Sequence, residues 1–221
     1  MSMDAHVLAV GVVDRDGIYG TSGVAVTWEQ LETDPPGTAK TLKAIFDRTD
    51  PTFRRIDLPA KTLVLAAEAA GVGKQLTDEQ RAATTICVET EVGSITTDVD
   101  FQESLKQEVV QAGIFPYSLT STCLGELALR YGLRGATVSV SVMPDAPGEG
   151  LRESLRILAA DEAPFVVTGY VDALRDPADG REPGACALLA LLGREEAGIG
   201  RLQWPARDDR DPFSALRRLC R

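Results

Sequence analysis

The chain has 221 residues, 44% of them hydrophobic and 25% charged, which are the proportions of an ordinary globular protein with length enough for one substantial core. Its formal net charge is −10, from 23 Lys and Arg against 33 Asp and Glu, which argues against nucleic acid or an anionic membrane as a partner, because both are held by Lys and Arg that neutralise phosphate. No apolar stretch is long enough to span a bilayer and residues 1–6 carry no basic segment leading into an apolar run, so a cytoplasmic protein without membrane insertion is expected.

Residues 6–13 are an apolar run stopped by Asp14-Arg15-Asp16-Gly17, the pattern of a buried strand and a turn. Residues 17–52 mix Gly, Pro, Thr and charge around Asp34-Pro35-Pro36-Gly37 and predict a loop region with a short helix over 39–46. Helix formers follow over 58–71, with Pro59 suited to a first turn and Gly71 to a C-terminal cap. Residues 84–90 are β-branched and apolar and predict a buried strand. Residues 98–112 place Phe101, Leu105 and Val109 at helical spacing, with Gly113 as the stop.

A further helix is expected over 120–131. Residues 137–143 then alternate Val138, Val140 and Val142 with Thr137, Ser139 and Ser141, the period of a strand with one buried face. A turn over 144–150, a helix over 151–160 and strands over 165–170 and 185–192 complete the order. This repeated β-then-α order predicts an α/β sheet with helical crossovers. One domain over 1–200 is expected, with an Arg-rich tail over 201–221 in which Asp211-Pro212 opens a short, solvated amphipathic helix.

The cysteines Cys87, Cys123, Cys186 and Cys220 are scattered, without a CxxC pair or an adjacent His, so no metal site is expected; Cys87 and Cys186 read as core residues. Gly71-Val72-Gly73-Lys74 completes no phosphate-binding motif and reads as a helix cap and turn. Asp98, Asp100 and Glu103 lack the spacing of a calcium loop and complement a helix dipole. Ser118 and Ser141 have no nearby His base in the sequence.

Three segments in order carry a likeness to a known family. They are Phe53-Arg54-Arg55-Ile56-Asp57 running into the Ala-rich helix that ends at Gly71, the stretch from Gly113-Ile114-Phe115-Pro116 through Gly125 to Gly135, and Val166-Val167-Thr168-Gly169-Tyr170-Val171-Asp172. Together they resemble the N-terminal half of the β-ketoacyl synthases, over residues 6–192. The resemblance implies a thiolase-like half: a mixed, mostly parallel sheet flanked by helices.

In that family the strand after the Gly-rich turn ends in a tight elbow that presents a nucleophilic Cys at a helix N-terminus, where backbone amides acidify the thiol. Here the corresponding residues are Met143, Pro144 and Asp145, and Pro144 stands where the Cys is expected. The family also uses two His for decarboxylation, whereas this chain has one, His6, on its first strand. The helix over 151–160 gathers Leu151, Leu155, Leu158 and Ala159 on one side and Arg152, Glu153 and Arg156 on the other, so one face meets water or a polar partner.

What the resemblance implies is a non-catalytic subunit in fatty acid, polyketide or aryl-polyene type chain building, similar to a chain length factor and pairing with a catalytic synthase or with itself. It needs no cofactor. An acyl carrier protein is a further expected partner, and Arg54, Arg55, Arg130 and Arg134 are the candidate docking residues for its acidic surface. The alternative is a small acyltransferase or thioesterase with an unidentified nucleophile, for which Cys123 is the candidate.

Overall fold

A computed structural model describes residues 3–31, 45–46, 50–107, 110–175, 184–194, 198–204 and 211–220. Eight strands run through them: β1 (Met3–Val13), β2 (Gly17–Gly20), β3 (Ala25–Thr27), β4 (Thr84–Thr90), β5 (Thr137–Ser141), β6 (Phe165–Leu174), β7 (Gly184–Gly193) and β8 (Gly200–Trp204). The helices are α1 (Leu58–Ala70), α2 (Val72–Gln75), α3 (Asp78–Ala83), α4 (Ile95–Ser104), α5 (Thr122–Tyr131), α6 (Glu149–Ala159) and α7 (Ser214–Arg218), with a 3-10 helix over Ala112–Ser118.

The best-defined element is α1, and its ends show why. The Asp57 carboxylate caps it by accepting from the Ala60 amide, Pro59 fits the first turn, and Gly71 at φ 75° closes it. Its body is almost wholly apolar, because it lies between the sheet and α5.

All the strands form one sheet in the order β3-β2-β1-β7-β6-β4-β5, with β8 beside the first half of β1. The fold class is the α/β arrangement expected, but the strand directions are not. Only β4 pairs in parallel, with β5 and β6; the pairings of β1 with β2, β7 and β8, of β2 with β3 and of β6 with β7 are antiparallel. Helical crossovers account for the parallel part, since α5 and α6 carry the chain out of β4 and β5. The tight turn at Asp14, whose side chain accepts from the Asp16 amide at 2.9 Å, can only reverse the chain.

Several local expectations are corrected. The stretch from Gly17 contains the β2–β3 hairpin, while most of the helix expected over 39–46 lies outside the described residues. The helix expected over 98–112 starts earlier and stops at Ser104, because Leu105 finds no core and is 55% exposed; Gly113 instead falls within the 3-10 helix. The tail does contain its short helix, α7, but not as a solvated appendage. Its Leu216 is fully buried, Phe213 is nearly so, and β8 extends the sheet.

Each face of the sheet carries its own core. On one, α1 and α5 cover Ala9, Val13, Val88, Val167 and Leu189; on the other, α6 and α7 cover Val7, Val10, Val166, Leu188 and Leu192. The outer side of α6 carries exposed ion pairs, Arg152 with Glu149 and Arg156 with Glu153 and Glu162, so one face of this helix is buried and the other polar, as its sequence predicts.

Backbone approaches side-chain-free backbone where α1 crosses β1. A Cβ on Gly11 would sit 2.0 Å from the Ala66 carbonyl oxygen, so Gly11→Ala forces the helix off the sheet. The expected cost is about 3 kcal/mol, the upper range for overpacking, read as a lower urea midpoint. A midpoint equal to the parent's would contradict this packing.

Candidate functional site

The carboxyl ends of β4, β5 and β6 and the start of α6 meet at one place. From β5, the Val142 amide donates to the Thr90 carbonyl at 3.0 Å, after which the chain leaves the sheet. Met143, Pro144 and Asp145 then form an exposed turn, closed by the Ala146 amide donating to the Met143 carbonyl. Gly148 follows at φ 95°, as the cap of α6. Pro144 therefore lies in the turn ahead of the helix, clear of its first amides.

Those amides already have an acceptor. Glu89, on β4 and only 2% exposed, accepts from the Gly148 amide at 2.8 Å through Oε1 and from the Gly150 amide at 2.7 Å through Oε2. The positive end of α6 is thus satisfied from within the fold. Burial pushes the Glu89 pKa above the ordinary carboxylate value, and the amides of Gly148, Gly150 and Leu151 hold the rise back. Glycines are needed on both sides, since a Cβ on Gly150 would come within 2.9 Å of Glu89 Cβ and one on Gly148 within 2.6 Å of Pro212 Cγ.

A second carboxylate ties the neighbouring strand in. Asp172, on β6, accepts from the Thr90 hydroxyl at 2.7 Å and from the Glu91 and Val92 amides at 2.9 and 3.1 Å. Between these groups and α7 is a cavity of about 200 Å³, bounded by Glu89, Pro144, Tyr170, Asp172, Phe213 and Arg217. Sequence reasoning passed over Glu89 and Asp172. The available signal was a lone acid, Glu89, at the end of an otherwise uncharged buried strand.

The other candidates are dispersed. Cys123 is 6% exposed, its thiol lies 3.1 Å from the Thr120 carbonyl, and burial pushes its pKa up to about 12, so it is a protonated core residue and not a thiolate. Ser118 donates to the Phe115 carbonyl, and His6 on β1 is separated from β5 by β7, β6 and β4. Among the docking candidates, Arg54, Arg55 and Arg134 are exposed, whereas Arg130 forms an ion pair with Asp50 and its side chain is 6% exposed. Arg55 and Arg130 share one groove, which Asp50 and Glu126 also line, so acids accompany the bases there.

No family model matches this chain, and no curated protein does. Solved structures do. A ketosynthase (ApeO) in complex with its chain length factor (ApeC) from Xenorhabdus doucetiae is 14% identical with a TM-score of 0.60, over 87% of this chain and 80% of that one. The ishigamide ketosynthase/chain length factor is 18% identical with a TM-score of 0.63, over 89% of this chain and 63% of that one. A type II polyketide synthase acyl carrier protein in complex with its ketosynthase (AntDE:AntF) is 15% identical with a TM-score of 0.60, over 88% of this chain and 64% of that one. The chain therefore has the thiolase-like fold of the ketosynthases and chain length factors, and spans less than two thirds of the last two structures.

Two measurements check the site. A cysteine introduced by Pro144→Cys should titrate as a free thiol near ~8.5 and react with iodoacetamide accordingly, because Glu89 holds the amides that would acidify it; a markedly lower thiol pKa would show the helix end to be available. Glu89 binds its proton more tightly in the folded than in the unfolded chain, so its stabilising contribution is complete below the ordinary value of 4.5 and is lost as the pH rises through the higher folded value. Glu89→Gln should flatten the fall of the urea midpoint above pH 4.5, leaving the part due to Asp57, whose pKa burial also raises. The same slope in both proteins would contradict the assignment.

Proposed function

We propose that this chain is a non-catalytic, ketosynthase-like subunit of an acyl-chain-building system of the polyketide or fatty acid type, working by pairing with a catalytic synthase. The observation that carries this reading is the Glu89 carboxylate on the first amides of α6, with Pro144 in the open turn before them. A nucleophile at this place depends on those amides for its acidity and would share them with the Glu89 carboxyl group. The fold shared with a ketosynthase–chain length factor complex supports a partner of the same fold.

Strand β5 supplies the pairing edge. It ends the sheet, and its bonds to β4 run from the contact of the Ile86 amide with the Ala136 carbonyl to that of the Val142 amide with the Thr90 carbonyl. In a parallel ladder of this register the backbone groups of Thr137, Ser139 and Ser141 point away from β4, ready to accept another strand. Carrier-protein docking belongs to the same reading, with Arg54, Arg55 and Arg134 as its exposed basic residues.

Co-expression with catalytic synthases from the same genome should yield a stable complex in size-exclusion chromatography. Ser139→Pro removes one outward N–H without touching the β4 ladder, so it should abolish the complex while leaving the thermal melt of the isolated chain within a few degrees. A chain that stays monomeric at micromolar concentration with every candidate synthase would overturn the proposal. For docking, Arg54→Glu with Arg55→Glu should weaken carrier-protein binding, and binding indifferent both to this double change and to salt would remove these residues from it.

A further inference from the structure

The short helix α7 closes the cavity beside Glu89, and little of what holds it there is its own. Five residues make up Ser214–Arg218, far below the ~12–15 that an isolated helix needs to persist in water, so its shape depends on tertiary contacts. Its apolar contacts are Phe213 and Leu216, seated in the core over β1 and α6, with Ala215, Leu219 and Cys220 packed at the edge of the same cluster. Its polar bonding to the sheet includes one side chain in particular, Tyr170. Arg217 donates to the Tyr170 hydroxyl at 2.5 Å and lies 5.4 Å above its ring, and the Phe213 ring meets the same ring edge-on at 5.0 Å. Arg217 also pairs with Asp211, which ties the segment to itself and not to the sheet.

The opposite wall of the cavity is the turn through Pro144 and Pro147, which leads into a helix bound quite differently. There α6 is anchored by Glu89 at its first turn and by the buried Ser154 hydroxyl, which bonds to Thr168 of β6 at 2.7 Å. One wall thus leads into a helix locked to the sheet by buried polar bonds, and the other is held by apolar packing and by the contact with Tyr170.

We propose that residues 211–220 form a latch, which swings off the sheet as a unit while the strands and α6 stay folded and so opens the cavity beside Glu89. Its clasp is the Arg217–Tyr170 contact. Segments that open locally expose less surface than global unfolding does. The proposal does not depend on whether the chain pairs with a synthase.

The four cysteines give a built-in readout. Burial pushes the thiols of Cys87, Cys186 and Cys220 up to about 11 and that of Cys123 up to about 12, so all are protonated in the closed form at pH 8 and differences in alkylation report access. Cys220 lies on the latch, and Cys186 on β7 faces Asp172 and is close enough to feel the Arg217 charge.

Native-state hydrogen exchange in sub-denaturing urea, combined with iodoacetamide labelling, tests this on the full chain. The α7 amides should exchange with a weaker urea dependence than those of β4 and β6. Arg217→Ala should speed both α7 exchange and the labelling of Cys220 and Cys186 about tenfold, leaving Cys87 and Cys123 unchanged. Tyr170→Phe keeps the ring and removes only the hydroxyl, and should act in the same direction by a smaller factor, which preserves the test if Arg217→Ala does not fold. The latch is overturned if α7 shares the urea dependence of the sheet, if the variants accelerate all four thiols together, or if neither variant alters α7 exchange.

Discussion

A buried carboxylate holding two helix-terminal amides is the constraint on which this structure turns. Ionised Glu89 needs donors that water no longer supplies, and the start of α6 needs acceptors that the helix itself lacks. Each answers the other across a strand–helix junction, through the amides of Gly148 and Gly150. The bond fixes where α6 begins, and with it the path of the turn that carries Pro144. On the proposed reading it also bears on what this place can do. A site whose helix-terminal amides are already bonded to an internal carboxyl group is poorly suited to stabilising a thiolate or an oxyanion.

Around that junction the sheet divides its work by strand direction. The parallel part, β5-β4-β6, brings three strand ends to one side, where Glu89, Thr90 and Asp172 gather. The antiparallel part, built by β1 with its neighbours, provides a long apolar floor for both cores. Polar bonding is concentrated at the strand ends and hydrophobic burial under the helices. Opening of α7 would therefore uncover a small polar cavity and leave the larger core beneath α1 intact.

Acidity and edge geometry bear on association together. A chain with a net charge of −10 repels copies of itself at long range, and a sheet ending in β5 offers directional backbone bonds at short range. The polar outer side of α6, covered by exposed ion pairs, adds no apolar attraction of its own.

Much of this architecture was legible in the order of residues. Apolar runs, Pro59 and Gly71 around α1, the alternation over β5 and the two-sided character of α6 are local patterns, and the sequence by itself determined them because propensity and periodicity act within a few residues. That Pro144 stands where the resemblance places a nucleophile was equally a matter of residue identity. Strand direction in most of the sheet, the end of α4 at Ser104 and the burial of the tail were decided only in three dimensions, because each depends on a neighbour far along the chain: β7 and β8 for β1, a missing core for Leu105, the sheet face for Leu216. Glu89 is the sharpest case. In sequence it is one acid at the end of a buried strand; its partners lie beyond β5, and only the fold, by placing the first turn of α6 over the end of β4, turns it into the acceptor that occupies the site.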